Sequence, residues 1–237
     1  MHVTASNRAR IIFVGLIALL LAASCALALS VKDAGAVSAT VLGKTNKTPK
    51  SPCNTKKPDN CRIVVHVTSF QTVADGRGSV MKVPSNGHIV AWATSLGNLP
   101  KDGITSANKN YGGSPYARLA VLKPKGKGKY KLTKQSPKTQ LESKLGSDPI
   151  FTLGKPLKVK KGQRIGITTP NWAPNFVDGL PNQDNQFVSS REKGLCAEKD
   201  ALKAKPQKKI GSTRKYGCRF NGSRLLYWAY FVPGKKK

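Results

Sequence analysis

The sequence predicts an all-β fold, an antiparallel, jelly-roll-like β-sandwich of about 8–10 short strands. Three observations predict it. First, Phe151–Pro170 reads FTLGKPLKVKKGQRIGITTP, in which Leu157 and Val159 alternate with Lys158 and Lys160, and Ile165 and Ile167 with Arg164, Gly166 and Thr168. Period two is the mark of strands with one buried and one wet face. Second, turn residues recur between apolar runs, and 22 Gly with 15 Pro suit strands and turns better than helices. Third, neither a long amphipathic helical pattern nor an internal repeat is present. Lys161-Gly162 lies between the two alternating runs and predicts a tight hairpin, with glycine at the positive-φ position.

Residues 1–36 read as a secretory signal peptide. Arg8 and Arg10 precede the 19-residue apolar run Ile11–Leu29, and Ala34-Gly35-Ala36 makes a small-x-small site. Cleavage is expected after Ala36 or after Ala39. Two alternatives stay open: an uncleaved membrane-anchoring helix, since the run is long enough to span, and a lipoprotein with Cys25 as lipid-bearing residue. The second departs from the lipobox pattern, because alanine stands where leucine is usual. Residues 37–60 are expected to form a flexible basic linker. Leu42–Asn60 carries Lys, Pro, Asn and Thr with no apolar period, and such composition does not offset ordering entropy.

The β-domain is expected over residues 61–233. Arg62–Phe70 (RIVVHVTSF) is apolar on both faces and predicts a central strand, with His66 structural. A short strand is expected at Ser79–Val83. His88–Leu96 is a strand with Trp92 in the core. Gly97–Ser114 reads as a long polar loop holding Tyr111, and Tyr116–Leu122 as a strand. Pro124–Lys131 is expected to be a solvated hairpin tip, and Leu132–Leu145 a strand and connector. Thr169–Asn185 reads as a loop carrying Trp172 and Phe176 among prolines and asparagines. Gln186–Ser190 is a short strand, and Glu192–Gly217 a Lys-rich excursion with a turn or two of helix at Glu198–Lys205. Arg224–Val232 (RLLYWAYFV) is a central last strand, and residues 234–237 are a basic tail.

The 237 residues hold 41 Lys+Arg against 11 Asp+Glu, a formal charge of +30. Residues 1–36 contribute only three bases and one acid, so the remainder carries +28. Such charge lies on the surface and attracts polyanions. Lys outnumbers Arg by 31 to 10, which suits diffuse, salt-sensitive attraction better than bidentate reading of bases. With export, this argues against nucleic acid as partner. An anionic glycan or wall polymer is the expected partner, and a membrane is met only through an uncleaved N-terminus.

Outside Cys25 the cysteines are Cys53, Cys61, Cys196 and Cys218. An even set fits an oxidising compartment and allows three pairings. Local closure favours Cys53–Cys61 and Cys196–Cys218. Without CxxC spacing, zinc is not expected. Asp178, Asn182, Asp184 and Asn185 offer oxygen ligands, but not at EF-hand spacing, so no metal and no cofactor is expected. No nucleophile elbow, zincin, phosphate-loop or dinucleotide motif occurs, and the chain reads as no enzyme. The residues best suited to ligand stacking are Trp172, Tyr111 and Phe176.

The signal at Met1–Ala36, the strand Arg62–Phe70, the stretch PLKVKKGQRIGITTP at Pro156–Pro170 and the aromatic last strand together resemble small exported bacterial β-sandwich proteins of unassigned function. The likeness covers about Arg62–Val232 and rests on structural motifs. It implies a sandwich and leaves the ligand open, since a fold alone does not carry function. Three readings follow: a surface binding module for an anionic polymer, a structural envelope protein whose lysines only solubilise it, and a hydrolase with a composite site.

Overall fold

A computed structural model describes residues 39–56 and 61–235. The segment read as a signal peptide, with Cys25 and the expected cleavage site at Ala36, lies outside these residues. The strands are β1 (Thr40–Leu42), β2 (Val64–Ala74), β3 (Arg77–Gly78), β4 (Gly87–Thr94), β5 (Tyr116–Pro124), β6 (Lys129–Gln135), β7 (Thr139–Gln140) and β8 (Ile150–Val159). They continue with β9 (Arg164–Ala173), β10 (Phe176–Val177), β11 (Gln186–Ser189), β12 (Thr213–Lys215), β13 (Cys218–Asn221), β14 (Arg224–Leu225) and β15 (Tyr227–Pro233). One helix, α1 (Lys101–Tyr111), stands between β4 and β5. Among the described residues nine strands have four residues or more, which matches the expected number of about 8–10.

Every pairing of these strands is antiparallel. One sheet runs β1-β15-β4-β8. The larger runs β12-β6-β5-β9-β2-β11-β13, with β3 added to β2 and β7 to β5. The two enclose the main core, in which Ile89 and Trp92 of β4 and Tyr227 and Phe231 of β15 meet Leu119, Val121, Ile165 and Ile167. Trp92 is fully buried against Phe151, ring centroids 4.6 Å apart. Two sheets sharing one core fit a sandwich.

β2 is central, between β9 and β11, as its two apolar faces require. At His66 it bulges, with φ of 46°, and the register against β9 shifts there. The larger sheet is also buried on its second face. Phe70, Leu122 and Leu132 pack there with Tyr130 and Tyr216. The excursion after Cys196 is held onto that face by Gln207, whose side-chain nitrogen donates to the Tyr130 and Ser212 carbonyls at 3.2 and 2.9 Å.

Several expectations are corrected. Lys161-Gly162 does turn, with Gly162 at φ +85°, but β8 and β9 do not pair. β8 pairs β4 in one sheet, and β9 pairs β2 and β5 in the other. The turn is an arch between sheets, fixed by Gly162 N–H to Val83 O and Val83 N–H to Gln163 O, each 2.9 Å. Inward alternation is the same for an arch as for a hairpin, because both strands still face one core. The Gly97–Ser114 loop contains α1, whose Ile104, Ala107 and Tyr111 pack with Val65 and Trp172. Gly112 closes the helix at φ 83°.

The segment read as linker is partly built into the fold. Leu42 is buried, and β1 pairs β15, Thr40 opposite Phe231. The Ser79–Val83 strand reduces to a single bridge, Lys82 with Arg164. The last strand breaks at Leu226, where β14 pairs β10 and β15 pairs β4. The Lys-rich tip at Pro124–Lys131 is the β5–β6 hairpin turn, as expected.

Candidate functional site

Cys53–Cys61 and Cys196–Cys218 are both disulfide-bonded, closing loops with sequence separations of 8 and 22. The two disulfides suggest an oxidising, extracellular setting. Among the described residues no helix is long and apolar enough to cross a membrane.

The three expected stacking residues part company. Trp172 lies in β9 with no exposed surface. Its Nε1 donates to Asn108 Oδ1 and to the Gly113 carbonyl, each at 3.1 Å. It is the floor on which α1 rests, and no ring face is left for a ligand. Turn-forming prolines on both sides hid a buried strand residue. Tyr111 and Phe176 are half-buried, and both line a cavity of about 660 Å³. This cavity lies at the head of β2, between α1 and the 3₁₀ segment Glu198–Lys203, and Phe187 and Phe220 also line it. Cys61 and Cys196 both reach it, so each disulfide anchors part of its wall.

Arg191, which no local pattern singles out, also lines the cavity. Burial draws its guanidinium pKa down, and the charges of Asp200 and Glu198 pull against that shift. Asp178 reaches the cavity and is paired with Arg62 at 3.2 Å. The Asn185 side chain accepts from Asp75 N–H at 3.3 Å, so these two members of the oxygen-rich loop go to separate partners. His66 donates through Nε2 to the Tyr111 carbonyl at 3.1 Å and borders an open hollow with Lys205, Lys208 and Arg214.

The cationic surface includes one closely spaced array. In the end of the larger sheet, Lys123 of β5 stands opposite Lys131 of β6, and Lys129 of β6 opposite Lys215 of β12. Because side chains alternate, these four lysines share one face, the face on which β5 carries Leu119 and Val121 further in. Neighbouring positions on such a face are about 5 Å apart across strands and about 7 Å along them. Lys125 and Lys127 continue the array around the tip, where Gly126, Lys127 and Gly128 all have positive φ. Sequence segments 103–141, 149–177 and 201–237 contain no acid. None of the lysines in this array is in an ion pair among the described residues. Like charges directly opposite are destabilising, so the array costs stability where it stands. The alternating lysines of the tip were legible in sequence; their partner Lys215, some eighty residues on, was not. Comparison with known proteins finds no matching family model, curated protein or solved structure.

Proposed function

We propose that this protein is an exported, non-catalytic β-sandwich of jelly-roll type that binds an anionic glycan or wall polymer on the lysine ledge of β5, β6 and β12. The opposed pairs Lys123/Lys131 and Lys129/Lys215 carry this reading. A surface that only keeps a protein soluble gains nothing from placing like charges face to face. A ligand with repeated negative charges relieves that repulsion. Lysine suits the task, since compact, mobile ammonium groups follow a flexible polymer without demanding fixed geometry. The disulfides and the apolar run at residues 11–29 favour export, as does the resemblance to small exported bacterial sandwiches. The non-catalytic reading is favoured by the engagement of two groups on which a composite hydrolase site could draw, His66 with the Tyr111 carbonyl and Asp178 with Arg62.

The test is binding of labelled wall teichoic acid and of a polyuronate, each titrated with salt. Lys123→Glu/Lys129→Glu is compared with Lys50→Glu/Lys101→Glu, which changes net charge equally at exposed positions elsewhere. The ledge variant is expected to lose about tenfold or more in affinity and to flatten the salt slope, with a much smaller loss in the control. Equal losses would reduce the lysines to a solubilising coat.

A further inference from the structure

The cavity at the head of β2 is not explained by polymer binding. Its volume of about 660 Å³ falls within the range of small-molecule sites, roughly 300–1,000 Å³. Its lining is largely apolar, with Ile63, Val65, Leu99 and Leu202 on one part and Phe176 and Phe220 on another. The aromatic wall is preformed: Phe220 stacks on Phe187 at 4.5 Å, and Phe176 meets Phe187 edge-on at 5.7 Å.

One charged group in this lining is left short of partners. Arg191 Nε is buried without a hydrogen bond among the described residues, and Nη2 makes a single long bond, 3.4 Å, to the Val65 carbonyl. A guanidinium has five N–H donors, so an acceptor is missing. The local charges define it. Asp178 is taken by Arg62 and Asp200 by Lys203. Asp200 still acts on Arg191 through its charge, but among the residues that line the cavity Arg62, Arg191 and Lys199 stand against Asp178 and Glu198, which leaves one surplus positive charge. That surplus accommodates one negative charge and disfavours two.

We propose that this cavity binds a small apolar monocarboxylate, with its hydrocarbon body against Ile63, Phe176 and Phe220 and its carboxylate on the Arg191 guanidinium. The site is separate from the lysine ledge and does not depend on the ledge being functional.

Calorimetric titration of the full chain with decanoate, decanol and decyl phosphate tests it. Decanoate is expected to bind saturably at one site, about tenfold or more tighter than decanol, the usual range for a hydrogen-bonded charge, and tighter than decyl phosphate. Arg191→Gln should make decanoate and decanol equal while leaving teichoic-acid binding unchanged. Ser106→Trp places a large ring at the cavity from an exposed position of α1, where the fold tolerates it, and should weaken all three ligands. The proposal is overturned by absence of saturable decanoate binding, by equal wild-type affinities for decanoate and decanol, by tighter binding of decyl phosphate, or by indifference to Ser106→Trp.

Discussion

Arg224 Nη1 donates to Asp75 Oδ2 at 2.6 Å, and the Arg224 side chain is 1% exposed. Its Nη2 reaches Thr45 and Thr48 at 3.0 and 3.1 Å, and the Thr45 hydroxyl also donates to Asp75. The start of the domain is thereby fastened to β14 near its end. Asp75→Ala would leave an enclosed cation without its carboxylate and is expected to cost about 3 kcal/mol, read by chemical denaturation.

The same pair sets an acid limit. Burial alone would raise the Asp75 pKa, but hydrogen bonds from Thr45 and Arg224 and the charge of Arg224 prevail and lower it. The folded value lies below the unfolded value of about 4. The stabilisation is therefore complete above that range and is lost as pH falls through the folded pKa. Unfolding free energy should decline below about pH 5, and Asp75→Asn should remove the part of that slope due to this residue.

The lysine ledge predicts opposite effects on stability and binding. Lys129→Glu sets an acid opposite Lys215 and should stabilise the fold by roughly 0.2–1 kcal/mol while weakening teichoic-acid binding. A melting-temperature series beside a binding series shows whether the two move apart. A variant that both melts earlier and binds less would speak against strained like-charge pairs.

Trp172→Phe removes the indole N–H and leaves Asn108 Oδ1 and the Gly113 carbonyl without that donor. A loss of about 1–3 kcal/mol is expected, with faster amide exchange across residues 101–111. Polymer affinity should hold, because the ring is a support for α1 and presents no face to a ligand.

Replacing Cys196 and Cys218 together by serine opens the loop of separation 22 and should cost about 3 kcal/mol. Limited trypsin digestion should then cut first near Lys199 and Lys203, in the segment that walls the cavity.

Strands and their inward faces were legible because alternation is local: Leu157, Val159, Ile165 and Ile167 all face the interior as their spacing implies. Which strand pairs with which was not, since β8 and β9 show the same alternation whether they join one sheet or bridge two. Helix α1 was hidden because Gly103, Asn108 and Asn110 are weak helix formers; packing of Ala107 and Ile104 around Trp172 overrides them. The stretch around Thr45 and Thr48 looked like a linker because its anchor, Arg224, lies nearly 180 residues away in sequence. Tyr111 and Phe176 stand out in the sequence as aromatics among turn residues, and both line the cavity, whereas Arg191 gives no such signal, its isolation being a property of the folded surroundings alone.

The antiparallel match of Thr40 with Phe231 has a mechanical outcome. The two ends of the domain leave side by side, so tension applied between them acts crosswise on the β1–β15 ladder and parts its bonds one after another, not all together. Gripping the domain at its extremities therefore unzips this ladder and does not shear it.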